Sequence, residues 1–388
     1  MDPLPRRVAI ACGGTGGHLF PGIAVGDALV ARGCEVMLIV SPKEVDQSAV
    51  KSAYGMDVES LSMIGLDRNP LKFSYRFLQS TKFCRKLFLK KRPMVVLAMG
   101  GFTSLPPVIV GKTMGAKIFL HEANAVPGRA VKMLSSIADE VFVQFPNSLP
   151  GMKGTDVHST GLPVRATMEP MPKSDARTVL GLDNDLPVLL IMGGSQGAEA
   201  INKAILDSLP YLAKSLPKIQ FIHLTGTTSL EPIKSVYDSL GLRALVRPFL
   251  TEMEYALGAA DLVISRAGAS SLAEFSAMEL PAILVPYPSA VDNHQRLNAR
   301  TFVEMKAARC FHQKQLTPSL LTQQLKELFS QPLKLKEMGE SIKQWKAESA
   351  TENVVKRIYK MCSWEYSCLL YTSPSPRDAT LSRMPSSA

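Results

Sequence analysis

Residues 187–191 are continuously apolar, and residues 199–212 carry apolar side chains at helical spacing. Between them lies Met192-Gly193-Gly194-Ser195-Gln196-Gly197-Ala198. An unbroken apolar run reads as a strand buried on both faces, the mark of a parallel sheet. Strand, glycine turn and helix in immediate succession leave backbone N–H groups free at a helix N-terminus, where an anionic group is favoured. Glycines let the backbone approach a phosphate closely, and Ser195 and Gln196 add side-chain hydrogen bonds. One such turn serves equally to pack a helix on a sheet, so its recurrence carries the argument.

The same pattern opens the chain. Residues 7–11 read as a strand, Cys12-Gly13-Gly14-Thr15-Gly16-Gly17-His18 as a glycine turn, 21–32 as a helix stopped by Gly33, and 35–40 as the next strand. This βαβ opening predicts a parallel sheet. It departs from the dinucleotide fingerprint because Leu19 stands where a third glycine belongs, which disfavours a dehydrogenase. Further strands are read at 94–99, 117–120, 140–144 and 157–160, with a helix at 106–114. After a linker near 168–175 the rhythm repeats, with strands at 187–191, 219–224, 244–248, 261–265 and 282–285 and one long polar helix near 333–361. The expectation is an α/β protein of two Rossmann-like parallel-sheet domains, 1–166 and 167–362. The last helix is free to pack back on the first domain, and ligands bind in the cleft at the strand carboxyl ends.

Composition narrows the class. The chain has 388 residues, 46% hydrophobic and 20% charged, enough for two cores. It has no run of eighteen apolar residues to span a membrane and no signal-peptide pattern, so a cytoplasmic location is expected. Six cysteines without metal or disulfide spacing read as reduced thiols. Asp183-Asn184-Asp185 imitates a metal-binding pattern but precedes the apolar strand, so it reads as a solvated turn and no protein-bound metal is expected. The net charge of +10 is concentrated: residues 68–92 hold nine Lys/Arg and no Asp/Glu. Written as a helix, Phe73, Phe77, Leu87 and Phe88 share one face, while Leu71, Tyr75, Leu78 and Leu89 share the other with Lys82, Arg85 and Lys86. One face suits a core and the other an anionic lipid surface; no aromatic-basic module suggests nucleic acid. The Ser- and Pro-rich stretch from about 368 resembles translated adaptor read-through, and 363–388 is expected to be a non-native disordered tail.

Seven motifs occur in order: Gly13-Gly14-Thr15-Gly16-Gly17-His18, Gly100-Gly101-Phe102, His121-Glu122-Ala123-Asn124, Gly161-Leu162-Pro163-Val164-Arg165, Gly193-Gly194-Ser195-Gln196-Gly197-Ala198, Ser265-Arg266-Ala267-Gly268-Ala269 and Asp292-Asn293-His294-Gln295. Together they resemble the MurG family over about residues 6–360. That family comprises the peptidoglycan N-acetylglucosaminyltransferases that convert lipid I to lipid II. Phe102, Ala123 and Leu162 stand where the family often has Tyr, Gln and Asn, and none of these removes a charge expected at the reacting centre.

The resemblance implies a GT-B fold with the nucleotide sugar on the second domain and no cofactor. It also implies UDP-GlcNAc and lipid I as substrates, peripheral attachment to the cytoplasmic face of the cell membrane, and partners among cell-wall synthesis and division proteins. The residue chemistry agrees. A diphosphate needs N–H groups and neutral donors, present at Ser195-Gln196 and along Ala269, Ser270, Ser271, Leu272 and Ala273. A ribose diol needs a carboxylate, which Glu274 supplies one turn into that helix. The resemblance assigns uracil to Phe249 and Leu250 and the sugar hydroxyls to His294 and Gln295; Arg165 meets the nucleotide at the domain junction.

The implied reaction is inverting and needs a base and a stabilised leaving diphosphate. His18 is the first candidate base, an imidazole at the cleft. Glu122 is its rival, with orientation of Asn124 as its other use. Thr15, Gly16 and Gly17 would hold the acceptor diphosphate or complete the donor site. The rival readings are a glycolipid synthase or UDP-GlcNAc epimerase of the same architecture, and a non-catalytic protein binding UDP-sugar or lipid.

Overall fold

The computed structural model describes residues 5–13, 16–42, 53–61, 69–148, 156–194, 197–226, 230–343, 345 and 349–366. Thr15, Ser195, Gln196, Arg68 and the stretch 367–388 lie outside the described residues, so the readings placed on them have no structural counterpart.

The first sheet contains β1 (Arg7–Ala11), β2 (Glu35–Val40), β3 (Asp57–Ser60), β4 (Val95–Ala98), β5 (Lys117–Glu122), β6 (Glu140–Val143) and β7 (Asp156–Ser159). Their order is β3-β2-β1-β4-β5-β6-β7 and every pairing is parallel. The central strands carry near-continuous apolar runs because helices cover both faces; Ile10 pairs with Leu38 on one side and Leu97 on the other, all fully buried. The second sheet contains β8 (Val188–Met192), β9 (Gln220–Leu224), β10 (Arg243–Arg247), β11 (Leu262–Ser265), β12 (Ala282–Leu284) and β13 (Ala308–Cys310). It runs β10-β9-β8-β11-β12-β13, again all parallel. Both sheets reverse order beside their first strand, the Rossmann pattern that opens a crevice at the strand carboxyl ends. The edge strands β3 and β13 are too short and polar to announce themselves in the sequence.

In chain order the helices are α1 (Gly16–Val30), α2 (Pro70–Lys90), α3 (Leu105–Thr113), α4 (Arg129–Leu134), α5 (Lys173–Val179), α6 (Glu199–Ser215), α7 (Leu230–Ser239), α8 (Met253–Ala259), α9 (Ala269–Ala277), α10 (His294–Glu304), α11 (Pro318–Phe329), α12 (Pro332–Lys343) and α13 (Ala350–Met361). Three of them correct the sequence reading. Helix α1 begins five residues before position 21, so Gly16, Gly17 and His18 lie in its first turn rather than in a preceding loop; Pro21 is accommodated inside. Helix α5 takes in 173–175, shortening the linker. The long polar helix is two helices. Its break is marked by Ser349, whose side chain accepts the Glu352 amide at 3.3 Å. Ser349-Ala350-Thr351-Glu352 has the capping spacing that starts a new helix, a signal the sequence carried.

Helix α13 is the last helix among the described residues yet packs in the core of the first sheet. Val354, Val355, Ile358 and Tyr359 are buried in the same core as Val8, Ile10, Leu29 and Leu38. Arg32 pairs with Glu352 at 2.7 Å, and Arg357 with the buried Glu140 at 2.6 Å. Trp364 stacks edge-on against Tyr359, and Arg32 lies over the Tyr366 ring. Packed chain therefore continues through Tyr366, and the expected tail beginning at 363 is corrected by four residues, because Trp364 and Tyr366 have aromatic and cationic partners to bury against.

Helix α2 is uninterrupted at Ser80. Asn69 caps it by accepting the Leu71 and Lys72 amides, and Pro70 occupies the first turn. Leu87 and Phe88 are buried and Phe77 packs against the same core. The opposite face leaves Leu71 81%, Leu89 69% and Tyr75 63% exposed. Among the described residues no helix is long and apolar enough to cross a membrane.

Candidate active site

Two helix N-termini meet across the crevice. Helix α1 starts at the end of β1, and α9 starts after β11. Pro21 has no N–H to offer the Gly17 carbonyl four residues back, and that carbonyl accepts the Ser270 hydroxyl of α9 at 3.1 Å. Beside this contact the Gln144 side-chain amide donates to the Ala269 carbonyl at 3.2 Å. Both helices therefore aim their positive ends at one place, where an anion carried by either domain is stabilised by both.

His18 projects from the first turn of α1 against Gly100 and Gly101. Gly100 has φ +105°, and a Cβ there would lie 3.0 Å from His18 Cε1, so the ring requires glycine beneath it. His18, Glu122, Asn124 and Arg129 from the first domain, with Asp292 and His294 from the second, line a cavity of about 220 Å³. His294 is held by a 2.7 Å contact between Nδ1 and the Val291 carbonyl. Asp292 and Asn293, just before it, both take left-handed backbone, with φ of 52° and 53°. Short polar side chains tolerate that conformation better than others, and it bends the chain back into the cleft.

Glu122 ends β5 facing its own loop. Oε1 accepts the Asn124 backbone amide at 2.9 Å and the Asn124 side chain at 3.3 Å, and Oε2 accepts the Gly128 amide at 2.7 Å. Burial raises this carboxyl above its ordinary value, and those donors pull it back. Both oxygens are thus engaged within the loop, one of them on Asn124. Next to it, His121 Nε2 meets the Gly161 carbonyl at 2.8 Å, so Nε2 carries the proton; burial pulls the imidazole down to about 4 and keeps it neutral.

The remaining candidate residues form a second group about α9. Arg165 lies 5.1 Å over the Phe20 ring of α1 and donates to the Thr251 carbonyl at 3.4 Å, so it touches both domains. It faces Glu274, whose carboxyl makes no hydrogen bond among the described residues and is pushed up to about 7, mainly by burial, with Arg165 opposing and Glu254 adding to the rise. Leu250 is half-buried against the second core and Phe249 is exposed. Gln295 Oε1 accepts the Tyr287 amide at 2.9 Å and does not line the cavity. Leu272 and Ala273 point into the second-domain core, so that run offers a ligand its backbone and its serines, not those two side chains. Asp183 lies at the opposite end of the sheet from the glycine turn, paired with Arg243 at 2.9 Å and bonded through its amide to Gln220, the first residue of β9.

Sequence reading missed three residues here. Arg129 on the cavity and Gln144 carried no motif. Asn298, four residues beyond His294 and therefore on the same face of α10, is fully buried and bonded across the domain boundary to Ala125. Its helical spacing from His294 was the one available signal.

The Glycosyltransferase family 28 N-terminal domain matches residues 8–143, and the Glycosyltransferase family 28 C-terminal domain matches residues 188–354. The UDP-N-acetylglucosamine–N-acetylmuramyl-(pentapeptide) pyrophosphoryl-undecaprenol N-acetylglucosamine transferase of Thermodesulfovibrio yellowstonii is 34% identical over 337 residues, covering 86% of this chain and 92% of its own. The protein of the same name from Geobacter sulfurreducens is 33% identical over 359 residues, covering 90% and 97%. The crystal structure of Acinetobacter baumannii MurG matches with a TM-score of 0.71 at 29% identity, over 92% of this chain and 100% of that one. A co-structure of S. aureus MnaA with UDP, at 12% identity and a TM-score of 0.66 over 94% and 99% of the two chains, shares the fold alone.

Proposed function

This chain belongs to the MurG family, and from that membership we propose that it transfers N-acetylglucosamine from UDP-N-acetylglucosamine to the muramyl sugar of lipid I, giving lipid II in peptidoglycan synthesis. It is an N-acetylglucosaminyltransferase with the GT-B fold. The observation that carries the placement of the reaction is the meeting of α1, with His18, and α9 across one cleft.

The proposed division of labour takes residues 1–166 as the acceptor side and 167–362 as the donor side. The donor diphosphate lies at the α9 N-terminus, against the backbone of 269–271 and the Ser270 and Ser271 hydroxyls, where helix dipole and N–H groups stabilise the departing UDP. Thr15, Ser195 and Gln196 complete the phosphate contacts by resemblance. Glu274 accepts the ribose diol, Arg165 meets the nucleotide, and the 249–250 backbone faces uracil. His294 and Gln295 take the sugar hydroxyls, Gln295 after releasing the Tyr287 amide. In the inverting displacement the acceptor hydroxyl attacks the anomeric carbon, its proton passes to His18, and the glycosyl–phosphate bond breaks to release UDP. Glu122 holds Asn124 against the acceptor. Attachment to the membrane through the exposed face of α2 belongs to the same proposal.

The test is UDP release from UDP-GlcNAc with and without a short-chain lipid I analogue. Release that depends on the acceptor is expected. His18→Ala should lower kcat by about 100- to 10,000-fold with UDP affinity kept. Donor binding without acceptor-dependent release would overturn the transferase reading, and full activity of the variant would remove His18 as base.

A further inference from the structure

Asn298 is the side chain through which the second domain touches the acceptor loop. It is fully buried on α10, and all three of its hydrogen bonds leave its own helix. Oδ1 accepts the Ala125 backbone amide at 2.8 Å; Nδ2 donates to Asn124 Oδ1 at 3.1 Å and to the Ala267 carbonyl at 3.2 Å. Two of those partners lie in the loop after β5, and the third lies in the turn that leads into α9.

The directions of these bonds are fixed. A backbone amide can only donate and a backbone carbonyl can only accept, so Ala125 and Ala267 set which end of the Asn298 amide is oxygen and which is nitrogen. Asn298 must then donate to Asn124, which must answer with its oxygen. That choice leaves the Asn124 nitrogen for Glu122 Oε1, the observed 3.3 Å bond. Asn298 thus donates both ways, to the Ala267 carbonyl before α9 and to Asn124, which donates on to Glu122, within a buried network in which a wrong partner is costly. His294 sits one turn earlier on the same face of α10 and lines the cavity.

We propose that Asn298 is a positioning residue for glycosyl transfer: it sets the amide orientation of Asn124 and the spacing between the donor-side helices α9 and α10 and the acceptor loop 122–128. The proposal rests on the reading of the cleft as the reaction site. It requires the effect of Asn298 on turnover to pass through Asn124.

Asn298→Asp tests this with almost no change of shape. The carboxylate still accepts from Ala125 but has nothing to donate to Ala267 or Asn124; Asn124 must turn its nitrogen toward residue 298 and its oxygen toward the Glu122 carboxylate. Expected is a fall in kcat of about 10- to 100-fold, the scale of a small misplacement of reacting groups. KM for UDP-GlcNAc and the affinity for UDP should stay within about threefold, because Ser270, Ser271 and Glu274 are themselves unaltered. In the cycle with Asn124→Ala, the double variant should turn over no more slowly than the slower single variant. Wild-type kcat in Asn298→Asp would overturn the proposal. So would additive losses in the cycle, or kcat, UDP affinity and melting temperature falling together. If Asn298→Asp does not fold, Asn298→Ser, which can donate to one partner, takes its place under the same criteria. Failure of the transferase reading is distinguishable, since the unmodified protein would then release no UDP in response to acceptor.

Discussion

Under the proposed assignment of the ribose diol to Glu274, donor binding follows the ionisation of a half-buried carboxyl. Burial holds it near 7 instead of 4.5, and Arg165 opposes that rise. The ionised form offers two oxygens to a ribose diol, and the protonated form is a poorer acceptor. The KM for UDP-GlcNAc should therefore fall as pH rises from about 6 to 8, and Glu274→Gln should show a higher, flatter KM across that range; initial rates at several pH values check this. The sign for stability is opposite. A carboxyl raised in the folded state adds stability that is complete below 4.5 and lost as pH rises through 7. The donor-free protein should lose melting temperature across that window, and Glu274→Gln should lose less. At the same scale, the glycines beneath His18 and the engaged oxygens of Glu122 give the two candidates different surroundings.

At the scale of elements, α2 has two faces with different environments. One packs Cys84, Leu87 and Phe88 into the first core, and the other leaves Leu71, Tyr75, Leu78 and Leu89 exposed among basic residues. Lys82, Arg85 and Lys86 form no ion pair among the described residues. An exposed apolar stripe beside cations suits an anionic bilayer surface, with each cation worth about 1 kcal/mol near it. Neutralising Lys82, Arg85 and Lys86 together should weaken flotation with anionic vesicles by about 100-fold at low salt. Binding that is indifferent to these charges and to vesicle composition would remove α2 as the attachment face. Helix α1 shows a different coupling: Pro21, read from sequence as a helix start, instead lies inside the helix four residues after the carbonyl that Ser270 bonds.

The whole molecule is tied together by elements distant in sequence. Helix α13 closes the first core after the chain has built the second domain, and Trp345 packs between Phe145 of the first domain and Phe302 of the second. Of the chain's two tryptophans, Trp345 therefore reports on the contact between domains and Trp364 on the packing of α13 into the first core. Ile358→Ala leaves a cavity against Val8 and Leu29 and should destabilise the first domain by about 2–5 kcal/mol. Unfolding followed by tryptophan fluorescence should show an earlier transition, with the second domain little affected. A variant as stable as the parent would mean that α13 is not part of the first core.

Local sequence was sufficient for the central strands and the two faces of α2, because each depends on neighbours within a few residues: apolar continuity and helical period. His18, Asn124, Arg165, Glu274 and His294 were legible as candidates for the same reason, each sitting in or beside a turn with a recognisable pattern. The edge strands β3 and β13 and the packing of Trp364 and Tyr366 are decided by partners elsewhere in the chain. So is the site's internal order. Asn298 could be placed at the centre of the domain contact only when Ala125 and Ala267, far from it in sequence, were brought to its two ends. The sequence by itself determined the two βα domains and the residue chemistry offered to the cleft; the tertiary structure decided which oxygens were already taken, which donors faced each other, and where the last helix belonged, because hydrogen bonds and burial are satisfied between groups that meet only in three dimensions.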